Sequence, residues 1–365
     1  MIQRFLQACT VIATTALLLL AFQRCSDDTP TEPPPPTQKD TTSHTFIWEV
    51  DTLFRPGTNF PAFFTAEAIY ATSATNVYMV GYSTDHNICW HWAGSEWTSI
   101  NVGDYLAGDI VDIDGVDSTY IVMAGRDYGG TRYSSMGVFN NGYFETLPIP
   151  LGDKWRTCVH VAARDEIYLG SVQGVQRYNG TEWEWLLDST ETIGNEFYPV
   201  YIHKFQDGTL ELVSQKNANA LSNIVRWTWE DQRFVVVDSF PTEIRPFPDN
   251  RFGYSIHESG SDVFSTGLDK TFKRSGSDWV KIHDVGGIYL SGSMNNLIIG
   301  SHWTYFWHYN GSTMKNLWSE ISALVPRITM INAVTFIDGV LFVCAEYDQS
   351  SRDVVVLRGR QVKSE

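Results

Sequence analysis

The residues most able to do chemistry in this sequence are its closely spaced carboxylates. The run from Asp112 to Asp117 reads DIDGVD, and hard cations such as Ca²⁺ bind sets of oxygen ligands of this kind. In stretches of the chain that resemble this one, the same place reads ATSATN, AARDE, KFQDG or FIDG, which are typical of hairpin turns. We therefore interpret DIDGVD as an acidic hairpin turn, with a calcium loop as the alternative.

A second candidate chemistry is cleavage of a glycan by paired side chains. Glycoside hydrolysis needs two carboxylates about 5 to 10 Å apart, and acidic residues near predicted inner strands include Glu67, Asp109 and Asp249. Nothing in the sequence selects a pair from these, and the GxSxG setting of a serine nucleophile is absent. The sequence therefore names no catalytic residue.

Three histidines could form a metal site. His160, His203 and His257 occupy similar places in three successive stretches of the chain, on or beside predicted inner strands. Their offsets differ slightly, however, and successive side chains on a strand point to opposite faces. The HExxH and CxxC patterns are also absent. We predict no metal site and no cofactor.

These side chains must be positioned by a repeated unit. A small glycine turn followed by a strand recurs in HWAGSEWTSI, FNNGYFETLP, RYNGTEWEWL, KRSGSDWVKI and HYNGSTMKNL. Marker glycines from Gly94 to Gly359 are spaced at about 44 residues per unit, which is the length of a four-stranded propeller blade. A strand, a polar turn and a β-branched or aromatic strand precede each marker, as in AIYATSATNVYMVG. The sequence thus predicts an all-β, seven-bladed β-propeller.

The two ends of the repeat region predict how the ring closes. Phe46 to Leu53 reads as an outer strand without a unit of its own, and terminal strands commonly complete the last blade of a propeller. We therefore expect this segment to close the seventh blade. We place the last marker turn at Gly359, and we predict that QVKSE, which follows it, forms a short outer strand. The Trp that follows several marker turns is expected to pack between neighbouring blades.

The repeat resembles the broad propeller group that includes WD-repeat, Kelch-like and sialidase-like proteins. The similarity covers residues 46 to 365 and depends on spacing and turn chemistry. The Gly-His and Trp-Asp signatures of WD repeats and the paired glycines of Kelch are missing, and only the Gly-x-x-Trp half of the sialidase Asp box is present. Similar repeats occur in exported bacterial propellers of unassigned activity. The resemblance implies a fold and leaves the function open.

The N-terminus predicts export. An apolar run from Val11 to Phe22 is about 12 residues long, the length of a secretory h-region. Cys25 follows, and then acidic residues and the proline-rich stretch TPTEPPPPTQKDTTSH, which favours an extended conformation. This arrangement resembles the start of a bacterial lipoprotein, although Arg24 and Phe22 depart from the usual lipobox. The alternative is an ordinary cleaved signal or a retained anchor.

The predicted organisation has three parts. Residues 1–24 are a signal peptide, residues 25–44 a lipidation site at Cys25 with its tether, and residues 45–365 the propeller. An acylated Cys25 would place the protein at the outer membrane or cell surface, and otherwise the protein would be periplasmic or secreted. The three later cysteines are widely spaced, which predicts buried thiols. They are Cys89, Cys158 and Cys344.

The net charge argues against a nucleic-acid partner, and the composition of the loops indicates where another ligand would bind. The net charge is −16 and no Lys/Arg cluster interrupts it, so a phosphate backbone would be repelled and no nucleic-acid partner is expected. The loops between blades and those joining second and third strands share one end of a propeller, which we call the loop face, and they are rich in Tyr, Trp and Arg. The candidate ligand-binding residues there are Arg126, Tyr128, Arg132, Trp155, Trp303 and Tyr347.

These observations favour a non-enzymatic binding scaffold for a glycan, peptide or protein, acting as a monomer tethered to a membrane by its lipid. One alternative is a propeller glycoside hydrolase or polysaccharide lyase. Another is a structural component of a cell-surface complex.

Overall fold

The structure is a computed structural model, and it describes most of the predicted propeller. The described residues are 42–53, 64–83, 88–103, 106, 109–126, 136–148, 156–188, 197–216, 224–240, 255–267, 270–276, 278–301, 305–347 and 353–363. They form seven four-stranded antiparallel sheets, which are the blades of a ring. The prediction of a seven-bladed all-β propeller is confirmed.

The first three blades follow the chain in order from the innermost strand outward. Blade 1 comprises β2 (Phe64–Ser73), β3 (Asn76–Ser83), β4 (Ile88–Trp92) and β5 (Trp97–Asn101). Blade 2 comprises β6 (Asp109–Asp117), β7 (Tyr120–Arg126), β8 (Met136–Asn140) and β9 (Tyr143–Thr146). Blade 3 comprises β10 (Arg156–Ala163), β11 (Glu166–Ser171), β12 (Gly174–Tyr178) and β13 (Trp183–Asp188).

Blades 4 to 6 repeat this arrangement. Blade 4 comprises β14 (Phe197–Lys204), β15 (Leu210–Lys216), β16 (Ile224–Glu230) and β17 (Arg233–Phe240). Blade 5 comprises β18 (Ser255–Ser259), β19 (Asp262–Thr266), β20 (Thr271–Ser275) and β21 (Asp278–His283). Blade 6 comprises β22 (Tyr289–Ser293), β23 (Asn296–Gly300), β24 (Phe306–Tyr309) and β25 (Met314–Asn316).

Blade 7 combines the two ends of the propeller. Its strands are β26 (Ile328–Ile337), β27 (Val340–Tyr347), β28 (Asp353–Gln361) and, outermost, β1 (Phe46–Thr52). A short helix, α1 (Trp318–Leu324), connects blade 6 to blade 7. β1 pairs antiparallel with β28, with Phe46 opposite Gln361 and Thr52 opposite Val355. The predicted closure by the N-terminal strand is therefore confirmed.

Gly359 does not mark a turn, contrary to the sequence prediction. It lies inside β28 opposite Trp48, and a Cβ atom at this position would come within 2.8 Å of the Trp48 ring. The glycine is therefore needed for close packing of an indole. QVKSE is likewise not a separate outer strand, because Gln361 ends β28 and β1 occupies the outer position.

The DIDGVD run is also not a turn. It belongs to β6, the innermost strand of blade 2, and the hairpin turn follows at Ser118 and Thr119. A Cβ atom on Gly115 would meet the Tyr120 carbonyl oxygen at 2.7 Å and the Tyr70 ring at 3.1 Å. The glycine in this run thus allows Tyr70 of blade 1 to approach β6 closely.

The core is divided among the seams between adjacent blades. Seven apolar clusters occupy them, one for each pair of neighbouring blades. Trp97 of blade 1 packs against Phe342 of blade 7 with ring centroids 6.2 Å apart, which confirms the predicted role of the Trp after the marker turn. The three cysteines predicted to be buried thiols are buried and form no disulfide with one another, and burial raises the pKa of the Cys89 and Cys344 thiols.

The close contact between Gly359 and Trp48 gives a test of the closure. Gly359→Ala should lower the free energy of unfolding by about 1 to 3 kcal/mol, because the added methyl group overpacks the β1–β28 pair. In a Trp48→Ala background the same substitution should cost much less. Chemical denaturation of the four proteins of this double-mutant cycle measures both values. An equal cost in the two backgrounds would contradict the packing argument.

Candidate functional site

Of the six loop-face residues predicted to bind a ligand, two have a described backbone and four lie outside the described residues. Arg126 is the last residue of β7 and Tyr347 the last residue of β27. Both strands are the second of their blades, so these residues are at the same end of the propeller. Their side chains are outside the described part of the molecule, as are Tyr128, Arg132, Trp155, Trp303 and the lipidation candidate Cys25. All of these remain predictions.

Two of the carboxylates considered for glycan cleavage lie on described inner strands, one in blade 1 and one in blade 2. Glu67 is an exposed residue of β2, and Asp109 begins β6. Asp249 lies outside the described residues. The structure instead brings together another set of acids and histidines on the innermost strands of blades 2 to 5. This set is the axial array, and it consists of Asp112, Asp114, His160, His203 and Glu258.

The two aspartates of the axial array bind the backbone of the next blade. Asp112 Oδ2 accepts a hydrogen bond from Val159 N at 2.7 Å, and Asp114 Oδ2 accepts one from Val161 N at 2.8 Å. Asp112 Oδ1 also accepts a hydrogen bond from Ile113 N. Because Val159 and Val161 belong to β10, these carboxylates connect the inner strands of blades 2 and 3.

Two histidines continue the array across blades 3 to 5. His160 Nδ1 is 3.0 Å from Asp114 Oδ2, and His203 Nε2 is 3.1 Å from Glu258 Oε2. Between these pairs, the His160 and His203 rings contact each other with centroids 4.1 Å apart. Since a carboxylate accepts, His160 Nδ1 carries the hydrogen. His160 Nε2 is buried and has no hydrogen-bond partner among the residues that the structure describes.

Burial and neighbouring charges shift the protonation of the array in different directions. Burial, with a further contribution from the Asp114 charge, raises the pKa of Asp112 to about 7, even though the Val159 N–H opposes the shift. Burial lowers the pKa of His203, and its hydrogen bond to Glu258 opposes that change. The hydrogen bond from His203 lowers the pKa of Glu258. The charge of Asp112 therefore changes near neutral pH.

His257 does not join His160 and His203, although the sequence places it at a similar repeat position. Its Nε2 accepts a hydrogen bond from Gly292 N of blade 6 at 3.0 Å, and burial lowers its pKa to about 4. The adjacent residue, Glu258, is the one that faces His203. Side chains alternate along β18, so a difference of one residue reverses the direction. No group of three or more His, Cys, Asp and Glu suited to a metal ion occurs among the described residues.

A cavity of about 680 Å³ opens where the inner strands of blades 1 and 2 reach their hairpin turns. We call this end of the propeller, opposite the loop face, the hairpin face. The cavity is lined by Tyr70, Thr72, Ser73, Asn76, Val116, Asp117 and Ser118. The Tyr70 hydroxyl donates to the Gly115 carbonyl at 2.8 Å, and Asp117 accepts hydrogen bonds from Thr119. Several of these polar groups thus already have partners within the protein.

Sequence reasoning missed the axial array because it assigned DIDGVD to a turn. The signal that could have revealed the array was the alternation of Asp112, Asp114 and small or apolar residues, since a period of two is typical of a strand. The contact between His160 and His203 agrees better with the sequence analysis, which places both histidines on or beside the inner strands of successive units.

Comparisons with known proteins agree on the fold. No family model matches the chain, and no curated protein matches it either. Among solved structures, the chain is similar to YCF48 bound to D1 peptide, with 13% sequence identity and a TM-score of 0.58. The match covers 90% of this chain and 100% of YCF48.

Two further similar structures come from larger proteins. The extracellular domain of BT4673 from B. thetaiotaomicron matches with 14% identity and a TM-score of 0.57, over 85% of this chain and 40% of that one. PorZ, a surface component of the type-IX secretion system of Porphyromonas gingivalis, matches with 9% identity and a TM-score of 0.52, over 87% of this chain and 39% of PorZ. At these identities the similarity establishes the fold, and the chain is a seven-bladed β-propeller. No helix in the described part of the chain is long and apolar enough to cross a membrane.

The raised pKa of Asp112 predicts a specific pH dependence of stability. A carboxyl whose pKa is higher in the folded than in the unfolded state stabilises the fold fully below its ordinary pKa of 3.8, and this stabilisation is lost as the pH rises through about 7. The change is at most about 1.4 kcal/mol per pH unit. Asp112→Asn should remove this contribution, so the difference in free energy of unfolding between wild type and variant should decrease from pH 4 to pH 7.

Denaturant titrations at several pH values measure this difference, and Asp117→Asn is the matched control. The hydrogen bonds from Thr119 lower the pKa of Asp117, so its stabilisation is lost only as the pH falls below the ordinary range. The control should therefore leave the slope between pH 5 and 7 unchanged. If Asp112→Asn also left it unchanged, the pKa of Asp112 would not be raised in the folded protein.

Proposed function

We propose that this protein is an exported, lipid-anchored propeller that binds a peptide or protein segment at its loop face without catalysing a reaction. The observation that carries the proposal is that Arg126 of blade 2 and Tyr347 of blade 7 end strands at the same end of the propeller, with blade 1 between these two blades. Further aromatic and arginine residues that we predict to bind the ligand follow these strand ends in the sequence, as Tyr128 and Arg132 follow Arg126. Arg and Tyr are the residue types most often found at the energetic centre of a protein interface.

The hydrogen bonds and ion pairs of the described polar groups also support a binding site in the loops. At the channel wall, Asp112 and Asp114 hold the backbone of blade 3. On the hairpin face, Arg164 pairs with Asp117 and Arg274 pairs with Asp207 across blade seams. These groups stabilise a rigid ring, and functional residues on such scaffolds usually belong to the loops.

The similar structures are consistent with recognition outside the cytoplasm. YCF48 was solved with a peptide bound, and its whole length is matched. BT4673 contributes an extracellular domain and PorZ is a surface component. We extend these properties to this chain as part of the proposal, together with acylation at Cys25.

Ligand binding at the loop face can be tested with a peptide library and a glycan array, applied to the purified full-length protein. The combined change Tyr128→Ala, Trp303→Ala and Tyr347→Ala should weaken binding of a selected peptide by at least about tenfold, since loss of 1.4 kcal/mol already gives that factor. Tyr143→Ala is the control, because Tyr143 is 75% exposed beside the turn that joins β8 to β9, on the hairpin face.

Each outcome of this experiment supports one of the candidate functions or moves the binding site. Binding that the triple variant loses, with unchanged Tm, supports the proposal. Unchanged binding would place the site elsewhere. A glycan that is cleaved rather than bound would favour the hydrolase or lyase alternative, and no ligand from either library would favour a structural component of a surface complex.

The lipid anchor has its own test. Mass spectrometry of the mature protein should find an acylated Cys25 at the N-terminus, because two or more acyl chains are needed for stable anchoring. Cys25→Ala should move the protein from the membrane fraction to the soluble fraction. An unmodified N-terminal peptide that begins at another residue would disprove acylation and leave loop-face binding untouched.

A further inference from the structure

A second cleft lies on the outer side of the ring, where blades 7 and 1 meet. It has a volume of about 390 Å³ and separates β1 from the two outer strands of blade 1, β4 and β5. We call it the seam cleft. Its walls are formed by Val50, Asp51, Thr52 and Leu53 on one side and by Trp90, Trp92, Ser95, Glu96 and Trp97 on the other.

Three tryptophans give the seam cleft an aromatic floor. Trp92 and Trp97 lie with ring centroids 5.7 Å apart at 44°, and Phe342 supports Trp97 edge-on from blade 7. The Trp97 Nε1–H donates to Asp51 Oδ2 at 3.3 Å, which fixes the indole across the seam. Because Trp97 is held in place and remains partly exposed, a flat ligand can stack on it with little loss of side-chain freedom.

The rim of the seam cleft carries oxygen atoms. Glu96, Thr52 and Ser95 line the cleft and are all exposed residues. An aromatic surface beside a few fixed polar groups is typical of a small-molecule site. In addition, the buried Trp90 Nε1–H beside the cleft has no hydrogen-bond acceptor among the described residues, and an unsatisfied buried donor is unfavourable.

The charges in the cleft argue against a cationic ligand. The Arg358 guanidinium already lies 4.1 Å from the centroid of the Trp92 ring, and it pairs with Asp51 and Glu49. A cationic ligand would therefore meet the Arg358 guanidinium at the Trp92 ring, where the protein already supplies the cation. What remains is an indole face and oxygen acceptors, which suit a neutral ligand with one apolar face and many hydroxyl groups.

We propose that the seam cleft is a saccharide-binding site, in which a pyranose ring stacks on Trp97 and its hydroxyls bond to Glu96. This site is separate from the loop face and does not depend on the function proposed for it. Because the walls of the cleft come from both β1 and blade 1, the complete cleft exists only in the closed ring. Binding of the saccharide should therefore stabilise closure of the propeller.

The experiment uses the purified full-length protein with cellohexaose, xylohexaose, laminarihexaose and chitohexaose at up to about 10 mM, ten times a weak Kd of 1 mM. Tryptophan fluorescence and Tm are the readouts. At least one oligosaccharide should change the indole emission and raise Tm. Glu96→Gln should weaken that binding at least about tenfold without changing the Tm of the free protein.

Glu182→Gln is the matched control, because Glu182 precedes Trp183 in NGTEW as Glu96 precedes Trp97 in AGSEW, and both glutamates are exposed. It should leave binding unchanged. The loop-face triple variant should also bind normally. The proposal is overturned if none of the four oligosaccharides changes either signal. It is also overturned if binding survives Glu96→Gln but is lost in the loop-face variant.

Discussion

The pairing of β1 with β28 is the contact on which the rest of the molecule depends. Seven blades make a ring only if the last blade is complete, and its outermost strand comes from residues 46–52. Without it, β28 would present an unpaired edge and the seam with blade 1 would lose one wall. Arg358 reinforces this seam, because it pairs with Asp51 on β1 and lies over Trp92 of blade 1. One side chain of β28 thus connects the closing strand to the first blade.

A second constraint acts at the axis. The innermost strand of each blade has a free edge, and its N–H groups need acceptors where water is restricted. Side chains of the preceding blade supply several of them. Asp112 and Asp114 bind two N–H groups of β10, and Ser291 binds Phe336 N of blade 7. His257 does the same for Gly292 N. Acidic and polar residues on inner strands therefore belong to the joints between blades.

This constraint explains which parts of the structure the sequence could predict. Blade number, blade length and the closing strand follow from local turn chemistry and the repeat spacing, which a single sequence contains. DIDGVD was misassigned because turn composition and an inner-strand edge both favour Asp, and only the partner strand distinguishes them. Gly359 was misassigned for a related reason. A single sequence does not distinguish a glycine that makes room for Trp48 from a glycine that forms a turn. Contacts between distant segments are what the sequence lacked.

The seams are not equivalent, and the one between blades 4 and 5 differs most. Among the residues that the structure describes, its apolar cluster has two buried members, Tyr201 and Val213. This seam also contains ionic contacts. Buried Glu211 pairs with Arg226 of the same blade, and Arg274 of blade 5 pairs with Asp207 of blade 4 across the seam. A buried ion pair returns little net stability because desolvation offsets its Coulomb energy. Among the described residues, this seam therefore depends more on charged side chains and less on apolar packing than the seam that β1 closes.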